Sequence, residues 1–225
     1  SGQTDRREGR ITLTGGDTIL AKTVIVATGA RSRTLDLPGE DRYFGGGGVS
    51  TCATCDGFSY RGKTVAVVGG GDSACEEATF LTRFANKVYL IHRRDELRAS
   101  QIMQKRAMEN PKIEILWNTV PVEFKGGDKL QTVALKDVKT GAARDLAVDG
   151  FFYAIGHIPN TEFLKGALAM DDEGFLVVDE RQRTNVDGVF GAGDVHDRKW
   201  RQAITAAGMG CAAGLSAERW IGEHE

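Results

Sequence analysis

The feature that most constrains this chain lies near its middle. Thr64 to Val68 is a short apolar run, three glycines follow at 69–71, and Asp72 to Ala85 keeps Ala74, Ala78, Leu81 and Ala85 at helical spacing. A second apolar run, Lys87 to Ile91, comes next. Strand, glycine turn, amphipathic helix and strand predict a βαβ unit, with two parallel strands and the helix across one face. Within it, Gly69-x-Gly71-x-x-Ala74 has the spacing of a dinucleotide fingerprint, with Ala as its third small residue. The first glycine makes the tight turn and the second admits a pyrophosphate to the backbone. The third position lets helix and strand pack closely, and the helix N-terminus favours the negative charge. Gly69, Gly71, Asp72, Ser73 and Ala74 are the candidate contacts. A lone glycine pattern would be a weak signal; its place between a strand and a helix strengthens it.

The cofactor's identity is read about 20 residues on, at the end of the second strand. An Asp or Glu there would hold a ribose hydroxyl. This chain instead has Ile91-His92-Arg93-Arg94, then Arg98. Guanidinium groups present a planar fork of donors to phosphate, so His92, Arg93, Arg94 and Arg98 favour NADPH over NADH. The bland alternative is a solvated basic cluster opening a helix, where cations are disfavoured unless an anion offsets them.

Glycine and proline punctuate the rest. Residues 8–20 read as a hairpin turning at Gly15-Gly16-Asp17, and Thr23 to Ala30 as a buried parallel strand stopped by glycine. Residues 98–108 read as a helix, 113–116 as a strand, 120–149 as a β-meander, and 150–156 as a further buried strand. Ala27-Thr28-Gly29 before Pro38 matches Ala154-Ile155-Gly156 before Pro159. Such a repeat implies two similar nucleotide-binding units. Thr28, Gly29 and Gly156, at the two matching strand ends, are candidate cofactor positions. Only the second repeat has its βαβ half, so the reading expects roughly a hundred residues to precede Ser1.

The chain has four cysteines. Cys75 and Cys211 stand alone in apolar helical patterns, whereas Cys52-Ala-Thr-Cys55 is a paired motif. A zinc site would need a second such pair or suitably spaced histidines, and none of His92, His157, His196 or His224 supplies that spacing, so no metal is expected. Two intervening residues suit an exchangeable disulfide, and Asp56 beside it suits proton transfer in thiol–disulfide exchange. Cys52, Cys55 and Asp56 are the catalytic candidates; reduced core cysteines are the alternative. Four glycines just upstream, 45–48, predict a mobile loop. Near the C-terminus, Thr184 to Asp194 reads as a turn, a short strand and a glycine loop ending in an acid, ahead of a helix over 203–217. An acid in a tight loop suits polyol hydroxyls, and a helix N-terminus suits a ring carbonyl. Gly193, Asp194, Arg201, Gln202 and Ala203 are the candidates there, against a packing loop as the plain reading.

A formal charge of −2 gives no reason to expect nucleic acid or an anionic membrane. No apolar run approaches the roughly 18–20 residues of a membrane span, and residues 1–10 do not resemble a secretory signal. Cysteine usage favours a reducing compartment, hence the cytoplasm.

Cys52-Ala-Thr-Cys-Asp-Gly57, Gly69-Gly-Gly-Asp-Ser-Ala74, His92-Arg-Arg-Asp95 with Arg98-Ala99, Gly191-Ala-Gly-Asp194 and Arg201-Gln-Ala203 occur in the order found in low-molecular-weight, NADPH-dependent thioredoxin reductases. The chain resembles that family along essentially its whole length. The resemblance implies an α/β fold of two Rossmann-like, three-layer β/β/α dinucleotide-binding domains, with the first βαβ half of the FAD domain missing. A partial FAD-binding domain would comprise 1–33 and 160–225, and an NADPH-binding domain carrying the dithiol 34–159. It implies NADPH and FAD as cofactors, thioredoxin as partner, a homodimer in the intact form, and a swing of one domain against the other. Cys55 resembles the sulfur that faces the flavin, Cys52 the one offered to thioredoxin, and Asp56 the acid. Two alternatives stay open: a catalytically silent NADPH-binding fragment, and a related flavoprotein disulfide reductase serving a peroxidase partner.

Overall fold

The computed structural model describes residues 9–12 and 14–225. They fall into two compact units: the segment up to Arg31 together with His157–Glu225, and Ser32–Gly156 between them in sequence.

The first unit opens with an antiparallel hairpin, β1 (Gly9–Thr12) and β2 (Thr18–Ala21), registered from Gly9 opposite Ala21 to Thr12 opposite Thr18. β3 (Val24–Val26) follows, and β4 (Ala30–Ser32) carries the chain away.

The second unit begins with two short pieces, α1 (Glu40–Tyr43) and β5 (Val49–Ser50), then the single turn α2 (Ala53–Asp56) and a 3-10 turn, Gly57–Tyr60. Its regular part is β6 (Thr64–Gly69), α3 (Asp72–Leu81), β7 (Lys87–Ile91), α4 (Gln101–Met108) and β8 (Ile113–Leu116). The antiparallel strands β9 (Thr119–Gly126), β10 (Leu130–Asp137) and β11 (Ala143–Ala147) lead to β12 (Gly150–Ala154). Five strands form a parallel sheet in the order β5-β12-β6-β7-β8, and the meander forms its own sheet, β11-β10-β9.

Alternation along β6 builds the layers. Val65 and Val67 point to one side and pack with Ala74, Cys75, Ala78 and Leu81 of α3. Ala66 and Val68 point to the other and pack with Phe124, Val133 and Leu135 of the meander. A parallel strand covered on both faces reads as a continuous apolar run because neither side meets water. Each fully buried side chain of this kind stabilises the fold by about 1.5–3 kcal/mol. The result is a β/β/α sandwich, with the glycine turn at the end of its central strand.

Two helix boundaries differ from the periodic reading. α3 ends at Leu81, because Phe84 and Ala85 turn back to donate to the Leu81 carbonyl before the chain enters β7. α4 begins at Gln101 rather than 98, because the Arg98 and Ala99 N–H groups are spent on the Gly70 carbonyl. Within the four-glycine run, Gly45 and Gly46 are exposed with open space around them, whereas Gly47 and Gly48 are packed. A Cβ at Gly47 would lie 2.6 Å from the Tyr43 Cα, and one at Gly48 2.6 Å from the Leu130 Cβ. Their carbonyls accept from Leu130 and Phe151, so glycine is needed there for close approach.

Back in the first unit, β13 (His157–Pro159) pairs with β4, and β14 (Val189–Gly191) runs parallel to β3. The long α5 (Ala203–His224) buries Ala213, Ala217 and Trp220 against Phe190 and Ala192. Ile204 and Leu215 of α5 remain 81% and 50% exposed. Among the described residues this unit's parallel sheet has two strands, and no helix of the chain is long and apolar enough to cross a membrane.

Candidate functional sites, one in each unit

Cys52 and Cys55 are joined by a disulfide, with Cα atoms 5.3 Å apart. Cys52 is the N-cap of α2, and the Cys55 N–H donates to its Sγ at 3.1 Å. When the bond opens, a Cys52 thiolate would inherit that donor, which favours the charged sulfur over the thiol. Cys55 and Asp56 are both exposed. Asp56 accepts a hydrogen bond from the Ser50 hydroxyl at 2.6 Å, and that hydroxyl accepts from the Cys52 N–H at 3.1 Å. The sequence reading missed Ser50, whose place on a two-residue strand carries no periodic signal.

In the same unit the glycine turn is shaped from below. A Cβ at Gly69 would meet the Ala154 carbonyl and the Ala74 Cβ, and one at Gly70 would overlap the His92 ring. Gly71 is different: a Cβ there meets nothing within 4 Å. The turn is thus tight beneath and open at Gly71, where α3 starts with no side-chain cap. An uncapped helix N-terminus beside open space fits the pyrophosphate of a dinucleotide. Asp72 and Ser73 are exposed at this start, and Asp72 Oδ1 accepts from the Ser100 N–H at 2.5 Å. Ala74 is wholly buried.

His92, a candidate cofactor contact by sequence, is 5% exposed and turned inward. Its Nδ1 lies 2.9 Å from the Gly69 carbonyl and its Nε2 2.8 Å from the Glu96 carbonyl. It therefore ties the turn to the arginine loop. Arg93, Arg94 and Arg98 are exposed and make no ion pair among the described residues, while Asp95 is taken by Lys139 at 2.7 Å. Three unengaged guanidinium groups beside an open helix start suit a phosphate. Gly156 has φ +98 and accepts from the Arg33 N–H at 2.9 Å, so its role in this unit is to turn the chain after β12.

The other unit carries the remaining candidates. Thr28 and Gly29 form a knot with Asn160: Thr28 Oγ1 donates to its carbonyl at 2.8 Å, and the Asn160 side chain and N–H return bonds to the Thr28 and Gly29 carbonyls. Asn160 was not singled out beforehand; a lone asparagine after proline reads only as a turn. Gly193, with φ +75, leads into Asp194, whose Oδ1 is buried without a partner. Burial, then the nearby Asp197, pushes the Asp194 carboxyl above its usual range. A buried, orphaned carboxylate oxygen fits a hydroxyl donor such as a flavin's ribityl chain. The Arg201 N–H donates to Asp197 Oδ2 at 2.8 Å, and its guanidinium donates to the Arg198 carbonyl. Gln202 caps α5 in a capping box with Thr205, and Ala203 is exposed at the helix start. His157 is pushed down to about 4, by burial first and then by Arg201, so it is neutral at pH 7.

The family model for pyridine nucleotide-disulphide oxidoreductases matches residues 3–210. The chain belongs to this family. Within it, the chain is 54% identical to the thioredoxin reductases of Streptomyces coelicolor and Mycolicibacterium smegmatis over 212 residues, 94% of its own length. Among solved structures, the thioredoxin reductase of Giardia duodenalis superposes with a TM-score of 0.90 at 46% identity, covering 97% of this chain and 72% of that one. The enzyme of Streptococcus pyogenes gives 0.89 at 44%, covering 94% and 69%. The chain spans 66% of the S. coelicolor relative and 68% of the M. smegmatis relative.

For a disulphide oxidoreductase, the cysteines outside the motif should be distinguishable from those within it. Cys75 is fully buried on the inner face of α3, and burial, with Asp72 adding to it, pushes its thiol up to about 11. Cys211 is exposed on α5. In the reduced, folded protein at pH 8, iodoacetamide should label Cys52, Cys55 and Cys211 but spare Cys75. Labelling of Cys75 at a rate like Cys211 would contradict its burial on the inner face of α3.

Proposed function

We propose that this chain carries the nucleotide and dithiol chemistry of an NADPH-dependent thioredoxin reductase. On this reading Ser32–Gly156 holds NADPH, and the other unit contributes part of an FAD site. The observation that carries the proposal is the joint presence, in one unit, of a Cys52–Cys55 disulfide exposed at Cys55 and an uncapped glycine turn flanked by free arginines. The relatives named thioredoxin reductases support thioredoxin as the disulfide acceptor. A homodimer in the cytoplasm belongs to the same proposal.

The chain's own residues divide the work. The start of α3 would hold the pyrophosphate, with Arg93, Arg94 and Arg98 on the ribose phosphate. Asp194, Thr28, Gly29 and the start of α5 would bind the flavin, Asp194 taking a hydroxyl. When bound, the two cofactors would supply hydride and electron transfer to the disulfide. Cys52 then attacks the acceptor disulfide, Cys55 resolves the mixed disulfide, and Asp56 holds or returns the proton that each exchange moves.

The test is the visible spectrum of the purified protein supplied with FAD, before and after NADPH. Flavin absorbance that NADPH bleaches and oxidised thioredoxin restores is the expected result. A bound flavin indifferent to NADPH would overturn the assignment. The relatives named thioredoxin reductases do not favour the second reading, an NADPH-binding module without flavin. NADPH binding with no flavin spectrum would select it.

A further inference from the structure

We infer that Ser50 is a positioning residue for the dithiol: its hydroxyl fixes the Asp56 carboxyl in both protonation states while holding the Cys52 backbone. The inference rests on the reading of Asp56 as the proton donor and acceptor of the exchange. Three observations carry it. Ser50 is 6% exposed at the end of β5, so its hydroxyl has few alternatives to the bonds it makes. The hydroxyl donates to Asp56 Oδ2 at 2.6 Å, and it accepts from the Cys52 N–H at 3.1 Å. Asp56 itself is exposed and follows Cys55 directly, so its proton can exchange with water and with the sulfurs.

A serine hydroxyl has one donor and two acceptor sites. Toward a carboxylate it donates its hydrogen and keeps one lone pair for the Cys52 N–H. Toward a protonated carboxyl it rotates and accepts, with the Cys52 bond unchanged. The carboxyl can thus gain or lose its proton without leaving its place, which an amide or an aliphatic side chain at this position would not permit. The other titratable group that senses Asp56 is Tyr60, on the following turn. Burial raises its phenol first, the charges of Asp56 and Asp149 add to that, and Lys63 sits over its ring.

The step needs no cofactor to be examined. Dithiothreitol opens the Cys52–Cys55 bond by forming a mixed disulfide and then closing its own ring. The small dithiol loses two electrons and two protons, and the chain's disulfide gains both to become two thiols. The rate is followed by acid quenching, alkylation and mass spectrometry across pH 5–9, a range on the order of two units either side of neutrality. Ser50→Ala should slow opening about tenfold near neutral pH and displace the pH profile, while Ser50→Thr, which keeps the hydroxyl, restores both. Combining Ser50→Ala with Asp56→Asn should cost no more than Asp56→Asn alone, since both remove one device.

An Asp56→Asn variant that opens at the normal rate overturns the acid assignment and this inference with it. A slow Asp56→Asn beside a Ser50→Ala of unchanged rate and profile, or losses that multiply, overturns the inference alone. Should Ser50→Ala fail to fold, the unaltered protein still decides. The Cys52 amide proton should shift in step with titration of the labelled Asp56 carboxyl carbon, and an amide indifferent to that titration overturns the proposal.

Discussion

Cys52→Ser in protein carrying both cofactors is expected to abolish thioredoxin reduction, by more than about a thousandfold, while NADPH still bleaches the flavin. The reasoning starts from α2. Cys52 is the N-cap sulfur that receives the Cys55 N–H, so it is the sulfur best prepared to exist as a thiolate and to attack. A serine oxygen forms no disulfide and leaves that attack without a nucleophile. Cys55→Ser should behave differently: Cys52 still attacks, and a mixed disulfide with thioredoxin accumulates because no resolving thiol remains. A stopped-flow trace at the flavin band and a non-reducing gel read the two outcomes. Loss of flavin bleaching in Cys52→Ser would refute the division of labour between the two sulfurs.

The second large effect concerns cofactor choice. Arg93→Ala with Arg98→Ala should weaken NADPH about a hundredfold and NADH by little. Each charge-assisted contact to phosphate contributes on the order of 1.5–3 kcal/mol, and NADH lacks the phosphate in question. Both side chains are exposed and free of ion pairs among the described residues, so their removal should not disturb the fold. Titration of intrinsic fluorescence with each nucleotide measures the ratio, and equal weakening of the two sinks the phosphate assignment. His92→Ala would be a poor substitute in this experiment, because its ring fills the space beneath Gly70 and holds two backbone carbonyls.

What could be read from sequence follows a physical rule. β6, β7 and β12 were legible as continuous apolar runs and α3 from its helical period, with glycines marking the ends of β6 and β12. The hairpin β1–β2 was legible from its turn residues. Family membership was legible because several short motifs stand in one order. The short elements were not. β5 has two residues and α2 one turn, too few for any period, yet they carry Ser50 and the disulfide. Nor does sequence distinguish a glycine that loosens a loop from one that admits a neighbour, as Gly47 and Gly48 do against Tyr43 and Leu130. His92 was legible as part of the basic motif but not in its direction. The side chain turns inward, with each ring nitrogen within 2.9 Å of a backbone carbonyl that only the folded turn brings near. The burial of an orphaned Asp194 oxygen belongs to the same class of fact, set by packing rather than by neighbours in the chain.

The seating of the dithiol on β5, at the margin of its sheet, has a consequence for hydrogen exchange. β6 is central, paired on both sides and covered on both faces, so its amides should open only with global unfolding of the unit. β5 is two residues long, with β12 as its one strand partner and an isolated bridge from Val49 to Phe44, and is followed by a helix of a single turn. Its opening requires few bonds to break, so the cysteine segment can unfasten while the glycine turn stays protected. On the proposed function, the sulfurs would be presented to a large macromolecular acceptor while the nucleotide stays held. The slowest-exchanging amides would then lie under the cofactor, and the fastest regular ones beside the chemistry.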